Sequence, residues 1–526
     1  MSSILSKETL NDFITPNQVC INPIKDTYEK NKGDDVIEVG KEDDVPTKVN
    51  ITLQDCLACS GCVTTSEELI LEQHSYESFF KNYNETLAND DELSLVISIS
   101  PTCRISLLNY LKFDNLNVVD EWLLQSFAKI FQKKNNSNQL YITSTQIGKE
   151  LSNIELNKHV IPLNTQEKSE MGPKFTVVCP GVVLYIEKQH NSLTPNFVKI
   201  KPEMSMLGNY LKKVVFAEED KKLYHLSIMP CFDKKLESSK NGEDDLDVDC
   251  VLTPKEIINM FIDNDVSLKP PQVPFDDAKR MNLMNVYKNE DLANLAWMID
   301  EAEIEAENSS GGYAYRYIKE YKEFLEQENS SLELEIQVES GKNNDIKYYK
   351  LINKSEDTKV FASSCELYGF KNLQNLIRKL DKSSSMFMKK RTNLLMNSRK
   401  KRTLTEGKDG LEPKDCDFIE LMACPGGCMN GGGLLVPDEE SSSNSKRRAE
   451  SLVKLNEIYL REFTNKINVM SDLNQSSSIG KHPSDYIKNF INASKSKNMD
   501  INYKVERRKE EDTKVADSST AIFEAW

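Results

Sequence analysis

The chain has 526 residues, 39% of them hydrophobic, which is enough for two to four domains with a sizeable core and excludes a small disulfide-stapled scaffold. Its 67 Lys and Arg stand against 83 Asp and Glu, and a net charge of -16 argues against nucleic acid as a partner held by bulk charge. The opening MSSILSKETLNDF lacks the charged-then-apolar pattern of a signal peptide, and the apolar run FTVVCPGVVLYI is too short to span a bilayer. The expected setting is therefore cytoplasmic or nuclear, where thiols stay reduced and clustered cysteines read as metal ligands or reactive thiols before disulfides.

In chain order, residues 1–88 read as a cysteine-bearing head, 89–436 as a long α/β body and 437–526 as a polar, partly helical region with a flexible tail. Glu29 to Lys48 is acidic and polar and reads as a linker between Cys20 and the group around Cys56. LSLVISIS (Leu93 to Ser100) alternates like a strand, and VVDEWLLQSFAKIF (Val118 to Phe131) has helical spacing. LYIT (Leu140 to Thr143), FTVVC (Phe175 to Cys179), LYHLSIMPC (Leu223 to Cys231) and DFIELMAC (Asp417 to Cys424) read as further strands, and CELYGFKNLQNLIRKL (Cys365 to Leu380) as a helix. That alternation predicts an α/β architecture with largely parallel sheets. Glu237 to Asp245, the basic Met388 to Arg402 and Asp438 to Arg448 read as solvated surface insertions.

The first cysteine constellation is DCLACSGC, with Cys56, Cys59 and Cys62 at two-residue intervals. That spacing wraps three thiolates around one face of a cubane, as in ferredoxins. Ser66 and Glu67 stand where the bacterial pattern continues to a further Cys-Pro, so the fourth ligand comes from elsewhere, with Cys20 and Cys103 both able to supply it. Zinc is the alternative occupant, although zinc sites usually join separated CxxC pairs. The second constellation is dispersed: Cys179, Cys231 and Cys424 each end a predicted strand, and Cys428 follows Cys424 by one helical turn. Ligand sites of parallel sheets gather at the carboxyl ends of strands, so these four thiols can converge. Gly426, Gly427 and Gly431 to Gly433 let the backbone turn tightly beside them, and Lys234 offers a charged donor if it is not simply a solvated loop lysine. Cys250, Cys365 and His225 read as packing residues, and Cys416 is unassigned.

In these motifs the chain resembles the iron-only hydrogenases, and as a whole it resembles their fungal-type eukaryotic relatives, the hydrogenase-like factors of cytosolic iron-sulfur protein assembly (the nuclear prelamin A recognition factor-like family). DCLACSGC, SISPTCR, VVCPGVVLYIEK, MPCFDKKLE, VDCVLT, GGYAYRY, YGFKNLQNL and ELMACPGGCMNGGG stand in the family's order, from about Cys20 to Gly433. The resemblance implies an iron-only-hydrogenase-like fold of two lobes with largely parallel sheets plus a small N-terminal cluster-binding segment. It also implies two 4Fe-4S clusters, one on Cys20, Cys56, Cys59 and Cys62 and one on Cys179, Cys231, Cys424 and Cys428, which selects Cys20 over Cys103. Hydrogenases place a proton-relaying cysteine where this chain has Val178, and a proline near the position of Leu434 and Leu435. An assembly or electron-transfer role is therefore expected instead of hydrogen chemistry, with no catalytic residues. The implied partners are the early cluster scaffold and the late targeting complex; an active hydrogenase and a ferredoxin-like carrier are the alternatives. Trp526, following the charged stretch Arg507 to Thr513, is the expected docking residue for the targeting complex, with a hydrophobic clasp onto the body as its alternative.

Overall fold

The computed structural model describes residues 74–89, 93–132, 139–165, 172–217, 222–241, 246–329, 332–354, 356–381, 411–435, 445–473, 486–487, 489–490 and 499–506. Cys20, Cys56, Cys59 and Cys62, the Glu29 to Lys48 linker, Met388 to Arg402 and Trp526 lie outside the described residues.

Helix α1 (Tyr76–Asn89) leads into β1 (Ser94–Ile99), and the chain then alternates: α2 (Pro101–Leu111), α3 (Leu116–Phe131), β2 (Leu140–Ser144), α4 (Gln146–Thr165), β3 (Lys174–Phe175), α5 (Pro180–Gln189), α6 (Glu203–Tyr210), β4 (Leu223–Ile228), α7 (Asp233–Ser238), β5 (Cys250–Leu252) and α8 (Pro254–Asp263). Four shorter or longer helices follow, α9 (Asp277–Met284), α10 (Glu290–Leu295), α11 (Glu301–Glu305) and α12 (Tyr313–Glu328). The antiparallel run β6 (Leu334–Ser340), β7 (Ile346–Asn353) and β8 (Glu356–Tyr368) precedes α13 (Phe370–Leu380), β9 (Phe418–Met422) and the long α14 (Ser445–Leu473).

Two sheets result. The first has order β2-β1-β4-β5 and is parallel throughout, with Leu95 opposite Leu140 and Tyr224. Every residue of β1 is buried, as expected for a central strand covered by helices on both faces. The buried Ser98 is satisfied from the next strand: its Oγ lies 2.8 Å from His225 Nε2 and 3.0 Å from Ser227 Oγ. His225 is thus a core residue, held neutral by burial. The second sheet has order β3-β9-β8-β7-β6, parallel across β3-β9-β8 and antiparallel beyond.

Three sequence expectations are corrected in detail. The helix read from Cys365 begins at Phe370, because Cys365–Tyr368 completes β8 and Gly369, at φ 86°, breaks the strand. The strand read as Phe175 to Cys179 pairs only at Lys174 and Phe175, since Cys179 already caps α5. Glu237 and Ser238, read as the start of a solvated insertion, are buried in the last turn of α7.

Candidate functional site

The loops after β1, β2 and β4 in the first sheet and after β3 and β9 in the second run to one cavity, lined by Cys179, Cys231, Cys424 and Cys428 together with Ser100, Thr102, Gln146, Lys149, Val178, Glu203, Lys234, Glu303, Ser310 and Tyr459. Cys231 comes from the first sheet and the other three thiols from the second.

Local sequence explains each position. Cys179 is the N-cap of α5; Pro180 has no N–H to leave unsatisfied at the first helical position, and the amides of Val182 and Val183 donate to Cys179 O at 3.1 and 3.2 Å. The amides of Ala423 and Val182 also donate toward its sulfur. In the Cys424–Cys428 turn, Gly426 and Gly427 both adopt positive φ, and the Cys428 amide donates to Ser310 Oγ at 2.9 Å. At Gly427 a Cβ would stand 2.1 Å from Ser310 Oγ, so only glycine lets this contact form. Gly433 N donates to Pro230 O at 3.0 Å, and a Cβ on Gly431 would approach the same oxygen to 2.3 Å; the Cys428 loop is thereby pressed against the Cys231 loop.

Lys234 is buried, which decides against a solvated loop lysine. Its Nζ donates to Glu237 Oε2 at 2.7 Å and to Val178 O at 3.0 Å, and Glu237 accepts from Ser205 Oγ at 2.8 Å. Burial works against the ammonium, but Glu237 and then Glu203 outweigh it and hold the pKa of Lys234 above its ordinary value. For the thiols burial is the main cause of a rise. Cys428 is pushed up to about 12, and Cys231 and Cys179 are also raised, with Asp233 the next cause at both. These three thiols stay protonated unless a polynuclear cation replaces their protons.

The donor set fits an iron-sulfur cubane. The amides at Cys179 Sγ and the buried Lys234 would supply the outer hydrogen bonds and countercharge that tune such a cluster. Among the described residues no group of three or more His, Cys, Asp or Glu stands ready to grip a single ion. A tetrahedral zinc would draw its sulfurs to about 2.3 Å from one centre, whereas a cubane spreads its ligand sulfurs over four irons.

Several lining residues escape sequence reasoning. Lys149 on α4 pairs with Glu303 on α11, and Tyr459 on α14 donates to Glu303 Oε2 at 3.0 Å. Tyr459 lies beyond the motif-bearing stretch, and its only local signal is the helical repeat it shares with Phe463. Ser310 was adjacent to the quoted GGYAYRY, yet nothing in its sequence setting indicates an amide partner 118 residues away.

A family model described as iron only hydrogenase large subunit, C-terminal domain, matches residues 94–432. The cytosolic Fe-S cluster assembly factor NAR1 of Kluyveromyces lactis is 38% identical over 445 residues, covering 82% of this chain and 86% of that protein. Its namesake from Saccharomyces cerevisiae is 35% identical over 464 residues, with coverages of 82% and 86%. Among solved structures, apo [FeFe]-hydrogenase HydA1 of Chlamydomonas reinhardtii is similar over 76% of this chain and 89% of that chain, at 16% identity and a TM-score of 0.49.

Proposed function

The chain belongs to the iron-only hydrogenase large-subunit family, in the branch of the cytosolic Fe-S cluster assembly factors, and on that premise we propose that it is a non-hydrogenase component of cytosolic iron-sulfur protein assembly. In this reading it binds two 4Fe-4S clusters, one on Cys20, Cys56, Cys59 and Cys62 and one on Cys179, Cys231, Cys424 and Cys428, and links the early scaffold to the late targeting complex. The observation that carries the reading is the meeting of four thiols from two different sheets in one cavity beside a buried lysine. Bound there, the cubane would supply a one-electron redox centre. The protein's part is to hold it: Cys231 from one sheet, three thiols from the other, Lys234 as countercharge and Ser310 fixing the Cys428 amide.

Val178 supports the non-hydrogenase assignment. It lines the cavity with an aliphatic side chain that can neither take nor give a proton, and its carbonyl is held by Lys234. Among the described residues no helix is long and apolar enough to cross a membrane, which accords with a cytoplasmic place of work.

The decisive experiment is iron and sulfide analysis with electron paramagnetic resonance on anaerobically purified protein. About eight of each per chain are expected. Cys59→Ala should remove one signal and Cys424→Ala the other; zinc in place of iron, or unchanged iron in both variants, would overturn the ligand assignment. Hydrogen evolution from an artificial donor should be absent, and robust turnover would restore the hydrogenase reading. Removal of Ala525 and Trp526 should weaken capture of the targeting complex while iron content stays the same; undiminished capture would dismiss Trp526 as the docking residue.

A further inference from the structure

Behind the cysteine cavity, between the second sheet and α12, two glutamates stand side by side. β8 and β9 are parallel with Glu366 directly opposite Glu420, so both side chains leave the sheet on the same face, and both are buried. Glu420 accepts from Tyr368 Oη at 2.9 Å and from Ala314 N at 2.9 Å, and Glu366 accepts from Tyr349 Oη at 2.6 Å. The cations that act on them are engaged elsewhere: Lys347 Nζ donates to Ala306 O at 2.7 Å, and Lys149 pairs with Glu303. Two carboxylates held in register away from water disfavour each other's ionisation, which raises the affinity of the pair for a proton.

A continuous line of hydrogen bonds joins this pair to the proposed ligand loop. Tyr368 Oη donates to Glu420 and accepts from Asn308 Nδ2 at 2.5 Å; Asn308 Oδ1 accepts from Ser310 N at 2.5 Å; Ser310 Oγ accepts from Cys428 N at 2.9 Å. Gly427 lies against the same tyrosine, where a Cβ would stand 3.2 Å from its ring. Other titratable groups that act between the pair and the cavity are Tyr313 of α12 and the Cys428 thiol, both also under the charge of Glu203, while the Cys365 thiol, one residue before Glu366, leaves β8 on the opposite face. Lys347 and Lys149 offset part of the charge on the pair, and a change of charge at the cysteines is felt by the carboxylates on top of that fixed background.

We propose that Glu366 and Glu420 form a redox-linked proton site, taking up one proton, shared between them, when the iron-sulfur cluster on Cys179, Cys231, Cys424 and Cys428 is reduced. This rests on the cluster reading above. The electron comes from a one-electron reductant and would enter the iron-sulfur core; a proton passes from solvent hydronium, whose O–H bond breaks to release water, to a carboxylate oxygen, where a new O–H bond forms. Burial, followed by the Glu366 charge, pushes Glu420 up to about 8, and burial raises Glu366 as well. The added electron raises the affinity of the pair for a proton, and by linkage the bound proton stabilises the reduced cluster. Its physical consequence is an electron carried without net added charge in a dry interior.

The test is a potentiometric titration of the full-length holoprotein at a series of pH values, following the paramagnetic signal that Cys424→Ala removes. At fixed potential the reduced-to-oxidised ratio should fall about tenfold for each pH unit of rise through the range in which the pair titrates. In Glu366→Gln/Glu420→Gln, which leaves no carboxyl at the site to take up a proton, that dependence should flatten. Redox-difference infrared spectra of the unaltered protein should gain a protonated-carboxyl band on reduction that shifts in D2O, a readout that does not depend on any variant folding. A pH-independent ratio, or a slope that survives in Glu366→Gln/Glu420→Gln, would overturn the proton site while leaving the cluster assignment intact. Absence of the signal in unaltered protein would overturn both.

Discussion

Lys234 shows how much hangs on one side chain. It is buried between Glu237 and the Val178 carbonyl, so its charge is balanced chiefly by a carboxylate three residues on. Lys234→Met would leave Glu237 buried and unpaired at about 3–5 kcal/mol. We expect a marked fall in melting temperature, with Lys234→Met/Glu237→Met recovering most of it; equal losses in the single and double variants would mean the lysine acts through packing alone. A lysine and a glutamate at this spacing fit a solvated helix turn as well as a buried ion pair, so the sequence could not choose between them. The thiols were more legible because Cys179, Cys231 and Cys424 each follow an apolar, strand-like run, and such runs in parallel sheets end where loops converge. Glu366 and Glu420 were not legible, since each looks like an ordinary strand glutamate until β8 and β9 are placed in register.

At the scale of elements, the site is made by loops pressed closer than side chains permit. Gly431 is the clearest case: an added Cβ would meet the Pro230 carbonyl, which is backbone and cannot swing aside. Gly431→Ala must therefore part the Cys428 loop from the Cys231 loop, at about 1–3 kcal/mol for the displacement. Faster loss of iron to a chelator is expected with an unchanged far-ultraviolet spectrum; wild-type retention would show that the loops can separate without harm. The parallel strands were readable from their apolar runs; β1, β4 and β9 fall within them and β2 runs one residue past Leu140 to Thr143. The antiparallel β6-β7 hairpin was not, because as an outer element its strands alternate with charged residues, as in LEIQVES, where the exposed pattern resembles a polar loop. The start of α13 was misjudged because CELY fits helix and strand alike, and only the positive φ of Gly369 separates them.

Across the whole molecule, two sets of interactions bridge the sheets at different depths. One is ionic: Arg316 of α12, packed on the second sheet, pairs with Asp300 and reaches Glu150 of α4 at 3.3 Å, while Lys149 of α4 pairs with Glu303. The long α14 reinforces it, inserting Tyr459 against Glu303, stacking Phe463 under the Arg104 guanidinium and pairing Lys466 with Asp120. The other bridge is the proposed cluster, because Cys231 belongs to the first sheet and Cys179, Cys424 and Cys428 to the second. A group that binds the folded arrangement and not the unfolded chain stabilises it by its own binding free energy. If the cluster is a staple across the sheets, removing its iron should lower the melting temperature by several degrees, and Cys231→Ser alone should reproduce that loss. Arg316→Met tests the ionic bridge separately. It removes the cation beside Asp300 and Glu150, at about 3–5 kcal/mol, and since the two bridges lie on different residues their effects should be close to additive. Chelation that leaves the melting temperature unchanged would mean that the ionic bridge alone holds the sheets together, leaving the cysteine cavity free to gain and lose a cluster without disturbing the fold.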